Sequence, residues 1–288
     1  MRTDKKIKGI LFVFIASLLW GSQPILAKLS YLTSDVLHTS GISFIFGTLT
    51  AFLYVFVTKK ELKINKTQVK SILYVTIVGT LFADVLYFYG FSLTSSLNAV
   101  LIGHIQPVFI ILITYPILKE EKLTFFDYLG GFLMLLSAVI VSSRTLNNLL
   151  SLRLGNFGDL VVLAATVAWA SNAVVAKKYL MGLNSGLIVA YRYLIAAVVL
   201  IIYLLLFSYF VIDSIYQVFL GISIGVGMIC YYEGLKILKA AQVGFIELCA
   251  PFSAAIFGWI ILDEMFTFMQ LLGLFVLVAG VYFISKKE

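Results

Sequence analysis

The chain has 288 residues, of which 61% are hydrophobic and only 12% are charged. Soluble proteins contain about 25% charged residues, so this composition excludes a water-soluble domain and indicates an integral membrane protein. The net charge of +7 does not indicate a nucleic-acid partner, because the basic residues lie in short segments between apolar runs. Both cysteines, Cys230 and Cys249, lie inside apolar runs, so no disulfide framework is expected.

Apolar runs long enough to cross a bilayer, at about 20 residues each, occur ten times along the chain. In chain order they cover residues 9–27, 36–58, 71–91, 97–118, 125–143, 158–176, 185–211, 214–235, 242–262 and 266–285. The first run follows basic residues as a signal peptide does, but no small-residue cleavage motif closes it, so we expect a retained helix. The sequence therefore predicts an all-α integral membrane protein with ten transmembrane helices.

An internal repeat organises these helices. Residues 18–28 recur at 167–177, and residues 83–107 recur at 227–251. The equivalent residues include Trp20 and Trp169, Gln23 and Asn172, Tyr87 and Tyr231, and Pro107 and Pro251. A duplicated unit is typical of secondary transporters, whose binding site lies between the halves. Five helices are an odd number, so we predict two five-helix inverted repeats, residues 1–145 and 156–288.

The distribution of Lys and Arg predicts the orientation of the chain. With the N-terminus inside, the outer segments contain only Lys28, Arg144 and Arg153, and Arg192 lies within a span. All other basic residues then fall on the inner side, namely Arg2, Lys5, Lys6, Lys8, Lys59, Lys60, Lys63, Lys66, Lys70, Lys119, Lys122, Lys177, Lys178, Lys236, Lys239, Lys286 and Lys287. We therefore expect both termini in the cytoplasm and the protein in the cell membrane.

These motifs together resemble the drug/metabolite transporter superfamily, and most closely its EamA-type branch. The resemblance rests on Trp-Gly-Ser at Trp20, a proline in the fourth and ninth spans, and Glu-x-x-Thr at Glu121 and Glu264. It implies cytoplasmic termini, a central cavity lined by the first, third, fourth, sixth, eighth and ninth helices, and transport of amino acids, other small metabolites or drugs, more often outward. The chain departs from the symmetric pattern at Ala170, which follows Trp169, and at Arg192, whose counterpart is Ser43.

Two polar residues in the third and fourth spans are the first candidates for a site. Asp84 and His104 each lie about ten positions from the connecting turn, roughly 15 Å at 1.5 Å per residue. This places them at equal depth near mid-membrane. Inserting a charged side chain there costs free energy, so such residues usually have a structural or functional role. We expect a carboxylate–imidazole pair, which would serve proton coupling or bind a substrate ammonium group. The alternative is a hydrogen-bonded pair that only joins two helices.

Glu247 is the corresponding polar residue of the second repeat. It aligns with Gly103, next to His104, and lies one turn before Pro251, where the helix loses a backbone hydrogen bond. A carboxylate at this depth would bind a cationic group of the substrate or a coupling proton. The alternative is a structural ion pair with Arg192, and Arg192 itself is expected to pair inside the bundle or to extend toward the cytoplasm.

Further candidates have weaker signals. Trp20, Gln23 and Asn172 in the duplicated motif offer hydrogen bonds to a polar substrate, or between helices. Tyr87 lies on the same helical face as Asp84 and is equivalent to Tyr231, so both tyrosines are predicted to line the cavity. Pro107 and Pro251 are predicted hinges. Glu233, three residues before Lys236, is expected to form an interfacial ion pair or to act at a cytoplasmic gate.

A secondary transporter explains these features best. We expect it to move a small polar metabolite, such as an amino acid, by alternating access and by export, with protons as a candidate coupling ion and without a cofactor or metal. A drug or organic-cation exporter is the alternative within this class, and a non-transporting scaffold is the alternative outside it. A membrane enzyme is disfavoured because only His38 and His104 are present to build a histidine-rich centre. The sequence does not determine the oligomeric state, and a homodimer is one possibility.

Overall fold

The structure, a computed structural model, describes residues 2–59, 63–117, 125–151, 155–180, 182–238, 243 and 246–285. Within these ranges the chain is helical, with no β-strand. Several basic residues used above for orientation lie outside the described ranges: Lys60, Lys119, Lys122, Arg153, Lys239, Lys286 and Lys287. The all-α prediction is confirmed for the residues that the structure describes.

The helices are numbered in chain order. They are α1 (Arg2–Ser30), α2 (Val36–Val57), α3 (Lys66–Tyr74), a π-helical segment (Val75–Asp84), α4 (Val85–Leu93), α5 (Ser96–Gly103), α6 (Gln106–Ile117), α7 (Phe125–Ser143), α8 (Leu146–Leu150), α9 (Phe157–Tyr179), α10 (Ser185–Phe207), α11 (Ile215–Leu235), α12 (Cys249–Leu262) and α13 (Phe268–Ser285). The third predicted span thus corresponds to α3, the π-helical segment and α4 in series. The fourth corresponds to α5 and α6.

Six helical stretches are long and apolar enough to cross a membrane: Lys5–Ser30, Val36–Val57, Lys66–Leu93, Phe157–Tyr179, Ser185–Phe207 and Ile215–Leu235. Shorter apolar helices cover Ser96–Ile110, Tyr128–Ser143, Cys249–Leu262 and Phe268–Phe283. Large apolar side chains cover much of the outside, and Phe56, for example, is 82% exposed. Such surface suits a lipid environment, so the chain is a multi-pass membrane protein.

Polar residues fix the starts of several helices. The Asp35 carboxylate accepts a hydrogen bond from the backbone N–H of His38 at 2.8 Å and begins α2. Asn156 and Asp159 exchange side-chain and backbone hydrogen bonds in a capping box that begins α9. Each cap satisfies backbone N–H groups that have no partner in the first turn of a helix.

Equivalent residues of the two repeats make equivalent contacts. The Trp20 and Tyr231 ring centroids are 5.1 Å apart, and those of Trp169 and Tyr87 are 4.5 Å apart. Gly234 faces Val13 and Gly9 across the α1–α11 interface, just as Gly90 faces Val162 and Gly158 across the α4–α9 interface. The first helix of each repeat therefore packs against the third helix of the other repeat. Residues that are equivalent in the sequence repeat therefore make equivalent contacts in the structure.

Close approach of α2 and α11 depends on Gly221. A Cβ at this position would lie 2.3 Å from the carbonyl oxygen of Ser43. Only glycine leaves room for the two helices at this distance, as in other small-xxx-small contacts between membrane helices. Gly221 and Gly225, four residues apart, thus form a packing motif on the face of α11 that contacts α2.

The fourth and ninth predicted spans are each interrupted three residues before a proline. The chain leaves helical geometry at His104 and Ile105 before Pro107, and at Leu248 before Pro251. Proline has no N–H and its ring crowds the carbonyl four residues earlier, so the carbonyl oxygens of Gly103 and Glu247 each lack the usual backbone N–H donor. The two interruptions occupy equivalent positions in the repeats, which places irregular backbone at the centre of both halves.

Candidate functional site

Asp84 forms a buried ion pair with Arg192 of α10. Nη2 of Arg192 donates to both carboxylate oxygens of Asp84, at 2.8 and 3.1 Å. The Asp84 carboxylate also accepts from the indole Nε1 of Trp169 at 2.6 Å and from the hydroxyl of Tyr193 at 3.0 Å. Arg192 is 3% exposed and Asp84 is 7% exposed. Donors from Arg192, Trp169 and Tyr193 are thus directed at one carboxylate, which neutralises its charge and satisfies its lone pairs.

The π-helical segment supplies two further partners of Arg192. Its Nη2 donates to the carbonyl oxygen of Gly79 at 3.0 Å, and its Nε donates to the Thr80 hydroxyl. Carbonyl groups in a π-helix are displaced from the α-helical ladder, and such segments occur often at functional sites. The Arg192 guanidinium thus binds both the π-helical segment and the carboxylate of Asp84, the last residue of that segment.

The predicted pair of Asp84 and His104 is wrong. Among the described residues, the Asp84 carboxylate contacts Arg192, Trp169 and Tyr193 and not His104. The alternative pairing of Arg192 with Glu247 is also wrong, since the guanidinium is bound to Asp84. The expectation that Arg192 pairs inside the bundle is confirmed.

His104 instead joins the two interrupted helices. Its Nε2 lies 3.0 Å from the carbonyl oxygen of Glu247, and its Nδ1 lies 2.7 Å from the carbonyl oxygen of Val100. The Glu247 carbonyl is the group that Pro251 leaves without a backbone donor. In the tautomer that carries its hydrogen on Nε2, the imidazole donates to this carbonyl in place of the missing N–H and ties the interruption of one repeat to that of the other.

The Glu247 side chain lies at the same crossing. Among the described residues, its Oε1 is buried and has no hydrogen-bond partner. The Tyr231 phenol lies within electrostatic range of this carboxylate. The Trp20 ring, which contacts Tyr231, also packs against Val100 and the first turns of α12. A buried carboxylate oxygen near the Tyr231 ring, without a partner among the described residues, is an acceptor available to a ligand.

The remaining predicted residues lie nearby but differ in their contacts. The Tyr87 hydroxyl donates to the carbonyl oxygen of Ala99 at 3.1 Å, which joins α4 to α5. Asn172 lies against Gly79, and its Oδ1 is buried without a partner in the described part of the chain. Gln23 is 9% exposed on α1. Glu233 forms the expected ion pair with Lys236, at 3.0 Å.

A polar network joins the two repeats at one end of the bundle, where α1 ends. Lys28 contacts the Glu264 carboxylate at 2.5 Å and donates to the carbonyl oxygen of Thr94 at 2.8 Å. Glu264 also accepts from the backbone N–H of Ser96 at 2.9 Å. The loop after α12 is thus bound to α1 and to the turn between α4 and α5, which closes the bundle at this end.

Comparison with known proteins identifies the family. The model of the EamA-like transporter family matches residues 7–143 and again residues 156–286. The chain belongs to the EamA-like transporter family. The resemblance inferred from the sequence motifs is confirmed, the EamA domain is present twice, and the protein is a transporter rather than an enzyme.

Relatives of this EamA-family transporter extend over nearly its whole length. The uncharacterized transporter YoaV of Bacillus subtilis (strain 168) is 22% identical, and the match covers 96% of each chain. The riboflavin transporter ImpX of Fusobacterium nucleatum subsp. nucleatum is 26% identical, over 98% of this chain and 99% of its own. A solved crystal structure superimposes with a TM-score of 0.70 at 18% identity, over 96% of each chain, and supports the fold alone.

Sequence analysis missed three residues around the Asp84–Arg192 pair of this EamA-family transporter, two partners of Asp84 and one of Arg192. Trp169 was recognised only as a repeat of Trp20, and Tyr193 and Thr80 were not singled out. One signal was available: Arg192 and Asp84 both lack charged counterparts in the other repeat, where Ser43 and Met228 occupy the equivalent positions. Two charges that are unique to one repeat and lie in different spans are candidates for pairing with each other.

Proposed function

We propose that this protein is a secondary transporter that exports an amino acid or a related small polar compound by alternating access. One observation supports this proposal above the others. Both repeats contain a helix interrupted before a proline, and the interruptions meet where His104 Nε2 lies 3.0 Å from the Glu247 carbonyl oxygen. Discontinuous helices that meet at the interface of two repeats form the substrate sites of many secondary transporters.

The proposed mechanism moves one repeat against the other about this crossing. Pro107 and Pro251 act as hinges, because the chain at each interruption is free of the full α-helical hydrogen-bond ladder. The proposed units are two five-helix inverted repeats, residues 1–145 and 156–288, with ten membrane crossings. The equivalent ring contacts of Trp20 with Tyr231 and of Trp169 with Tyr87 support this arrangement.

The proposed substrate site includes Trp20, Tyr231, His104 and Glu247. The unpartnered Oε1 of Glu247 favours a substrate with an ammonium group, which both amino acids and organic cations have. Contact of Gln23, Tyr87, Asp84 and Asn172 with the substrate stays a prediction. We assign the proposed coupling proton to His104 and Glu247, since the Asp84 carboxylate is already bound by Arg192, Trp169 and Tyr193.

The proposed orientation places both termini in the cytoplasm and the protein in the cell membrane. Lys5, Lys6 and Lys8 near the start of α1, Lys177 and Lys178 at the end of α9, and Lys236 after α11 support this orientation. Basic residues near the ends of spans favour the cytoplasmic side.

A second candidate substrate class is supported by the relative ImpX, named a riboflavin transporter. Trp20 and Tyr231, with ring centroids 5.1 Å apart, offer a surface for a planar ring system. An organic cation fits the same aromatic and acidic surroundings. Both belong in the test panel beside amino acids.

Counterflow in proteoliposomes tests the proposal. Purified protein is offered labelled amino acids, two organic cations and riboflavin, with and without a proton gradient. We expect accumulation of an amino acid that changes with the gradient. Accumulation of riboflavin or of a cation alone would replace the proposed substrate, and accumulation that ignores the gradient would contradict proton coupling. If nothing moves although the protein is folded, the transport proposal fails and a scaffold becomes the better explanation.

A further inference from the structure

The two Trp–Tyr pairs are equivalent in sequence but differ in their hydrogen bonds. Nε1 of Trp169 donates to Asp84 at 2.6 Å. In the described part of the chain, no residue accepts a hydrogen bond from Nε1 of Trp20. This nitrogen lies beside Gly227, where a Cβ would be 3.1 Å away, and the next residue is Met228 rather than a carboxylate. Of the two equivalent indole N–H groups, that of Trp169 thus has an acceptor, and that of Trp20 has none among the described residues.

The acceptors show the same asymmetry. Asp84 is bound by Trp169, Tyr193 and Arg192, so the carboxylate on this side is satisfied within the protein. The equivalent of Arg192 is Ser43, whose hydroxyl donates to the Gln217 carbonyl oxygen at 3.0 Å. The ion pair thus has no counterpart across the repeat. On that other side lies Glu247, whose buried Oε1 is unpartnered among the described residues.

Among the described residues, an indole N–H without an acceptor and a carboxylate oxygen without a donor are therefore linked through Tyr231. Trp20 contacts Tyr231, and Tyr231 lies within electrostatic range of Glu247. A ligand with an acceptor at one end and an ammonium group at the other would satisfy both, and its cationic group would also be attracted by the ring faces. An α-amino acid has this arrangement, with its carboxylate for Trp20 and its ammonium group for Glu247.

We propose that the substrate is held by only one of the two pseudo-equivalent half-sites. Trp20, Tyr231 and Glu247 form the binding half-site, in which the indole N–H donates to the substrate carboxylate and Glu247 accepts from the ammonium group. Trp169, Asp84 and Arg192 form a structural half-site that holds the repeats together. This inference rests on the proposed function and specifies how the same site binds its substrate.

The first test needs no ligand. Thermal unfolding of the purified full-length protein in detergent is compared for Asp84→Asn and Glu247→Gln. We expect Asp84→Asn to lower Tm by about 5 °C or more, because it leaves Arg192 buried without a counter-charge. We expect Glu247→Gln to change Tm by less than about 2 °C, because its Oε1 has no partner to lose. An equal fall in both variants would overturn the division into structural and binding half-sites.

The second test measures binding of three matched probes by scintillation proximity: tyrosine, tyramine, which lacks the carboxylate, and 3-(4-hydroxyphenyl)propionate, which lacks the ammonium group. Trp20→Phe should weaken tyrosine binding about tenfold and leave tyramine binding nearly unchanged, since one hydrogen bond to a charged group is lost. Glu247→Gln should weaken binding of both. The matched control Trp169→Phe should leave both unchanged, and the propionate should not bind.

The outcomes separate this inference from the proposed function. Equal loss of tyrosine binding in Trp20→Phe and Trp169→Phe would overturn the assignment to one half-site. Failure of the wild type to bind tyrosine and tyramine, with another solute moving in counterflow, would overturn the half-site assignment and leave transport intact. Only a protein that moves no solute at all would remove the proposed function as well.

Discussion

Asp84 shows why a polar residue in a membrane span needs its partners identified before a role is assigned. Sequence position alone suggested a coupling carboxylate beside His104. The contacts with Arg192, Trp169 and Tyr193 instead satisfy the carboxylate completely. Glu247 has no such partners in the described residues and is the better candidate for a group that binds and releases a ligand.

The indole N–H of Trp169 should contribute to stability in a way that the indole N–H of Trp20 does not. Trp169→Phe removes a 2.6 Å hydrogen bond to a buried carboxylate, and hydrogen bonds to charged groups contribute about 1.5–3 kcal/mol. Trp20→Phe removes similar ring volume but no hydrogen bond to any residue that the structure describes. We expect the Tm of Trp169→Phe to be lower by several °C than that of Trp20→Phe, measured by thermal unfolding in detergent. Equal Tm values would contradict the structural role of the Trp169 N–H.

Sequence analysis identified these residues but not their partners, and the reason is geometric. The depth estimate for Asp84 assumed regular α-helical geometry, with a rise of about 1.5 Å per residue, throughout the third span. The π-helical segment Val75–Asp84 has wider turns, which change the direction of every side chain at its end. No residue in that segment signals a π-helix, so the direction of Asp84 could not be predicted.

At the scale of helices, the prolines were informative. Pro107 and Pro251 predicted interruptions, and the chain leaves helical geometry three residues before each of them. The sequence could not indicate that His104 satisfies the carbonyl group exposed by Pro251, because this contact depends on how the two repeats pack. The equivalent of His104 in the second repeat is Leu248, so this bridge is formed in one direction only.

A double-mutant cycle should detect the coupling between His104 and Pro251. His104→Leu removes the donor to the Glu247 carbonyl oxygen, and an unsatisfied buried acceptor costs about 1–3 kcal/mol. In a Pro251→Ala background the new N–H of residue 251 can satisfy the same oxygen. We therefore expect His104→Leu to destabilise the Pro251→Ala protein less than the wild type, by about 0.5 kcal/mol or more in unfolding measurements. Strict additivity would show that His104 does not replace the missing N–H.

The whole molecule is a duplicated bundle, and much of that could be predicted. Composition, hydrophobic runs and the repeat indicated an all-helical membrane transporter, and the family match over residues 7–143 and 156–286 agrees. Contacts between the halves could not be predicted, because a repeat aligns residues without specifying how its copies pack. The closure of one end by Lys28, Glu264 and Ser96 is such a contact.

Loss of this closure should expose the interior from that end. Glu264→Gln removes the charge that binds Lys28, which should favour opening there. In a Cys230→Ser background, Cys249 remains as a reporter two residues from Glu247. We expect a membrane-impermeant thiol reagent, added to the outside of intact cells, to label Cys249 faster in Glu264→Gln.

Glu233→Gln is the control for that measurement, because its ion pair with Lys236 lies at the other end of the bundle. Labelling of Cys249 from outside should not accelerate in this variant. Equal labelling rates in Glu264→Gln and in its parent would show that the Lys28–Glu264 pair does not close the interior.

The most direct test of the account is counterflow of one amino acid by three proteins reconstituted in parallel: wild type, Glu247→Gln and Glu233→Gln. Both variants replace one carboxylate with an amide, and only Glu247 lies at the crossing of the interrupted helices. We predict accumulation by the wild type and by Glu233→Gln, and a loss of about tenfold or more in the initial rate for Glu247→Gln. Unchanged flux in Glu247→Gln would contradict the central claim that its carboxylate binds the substrate.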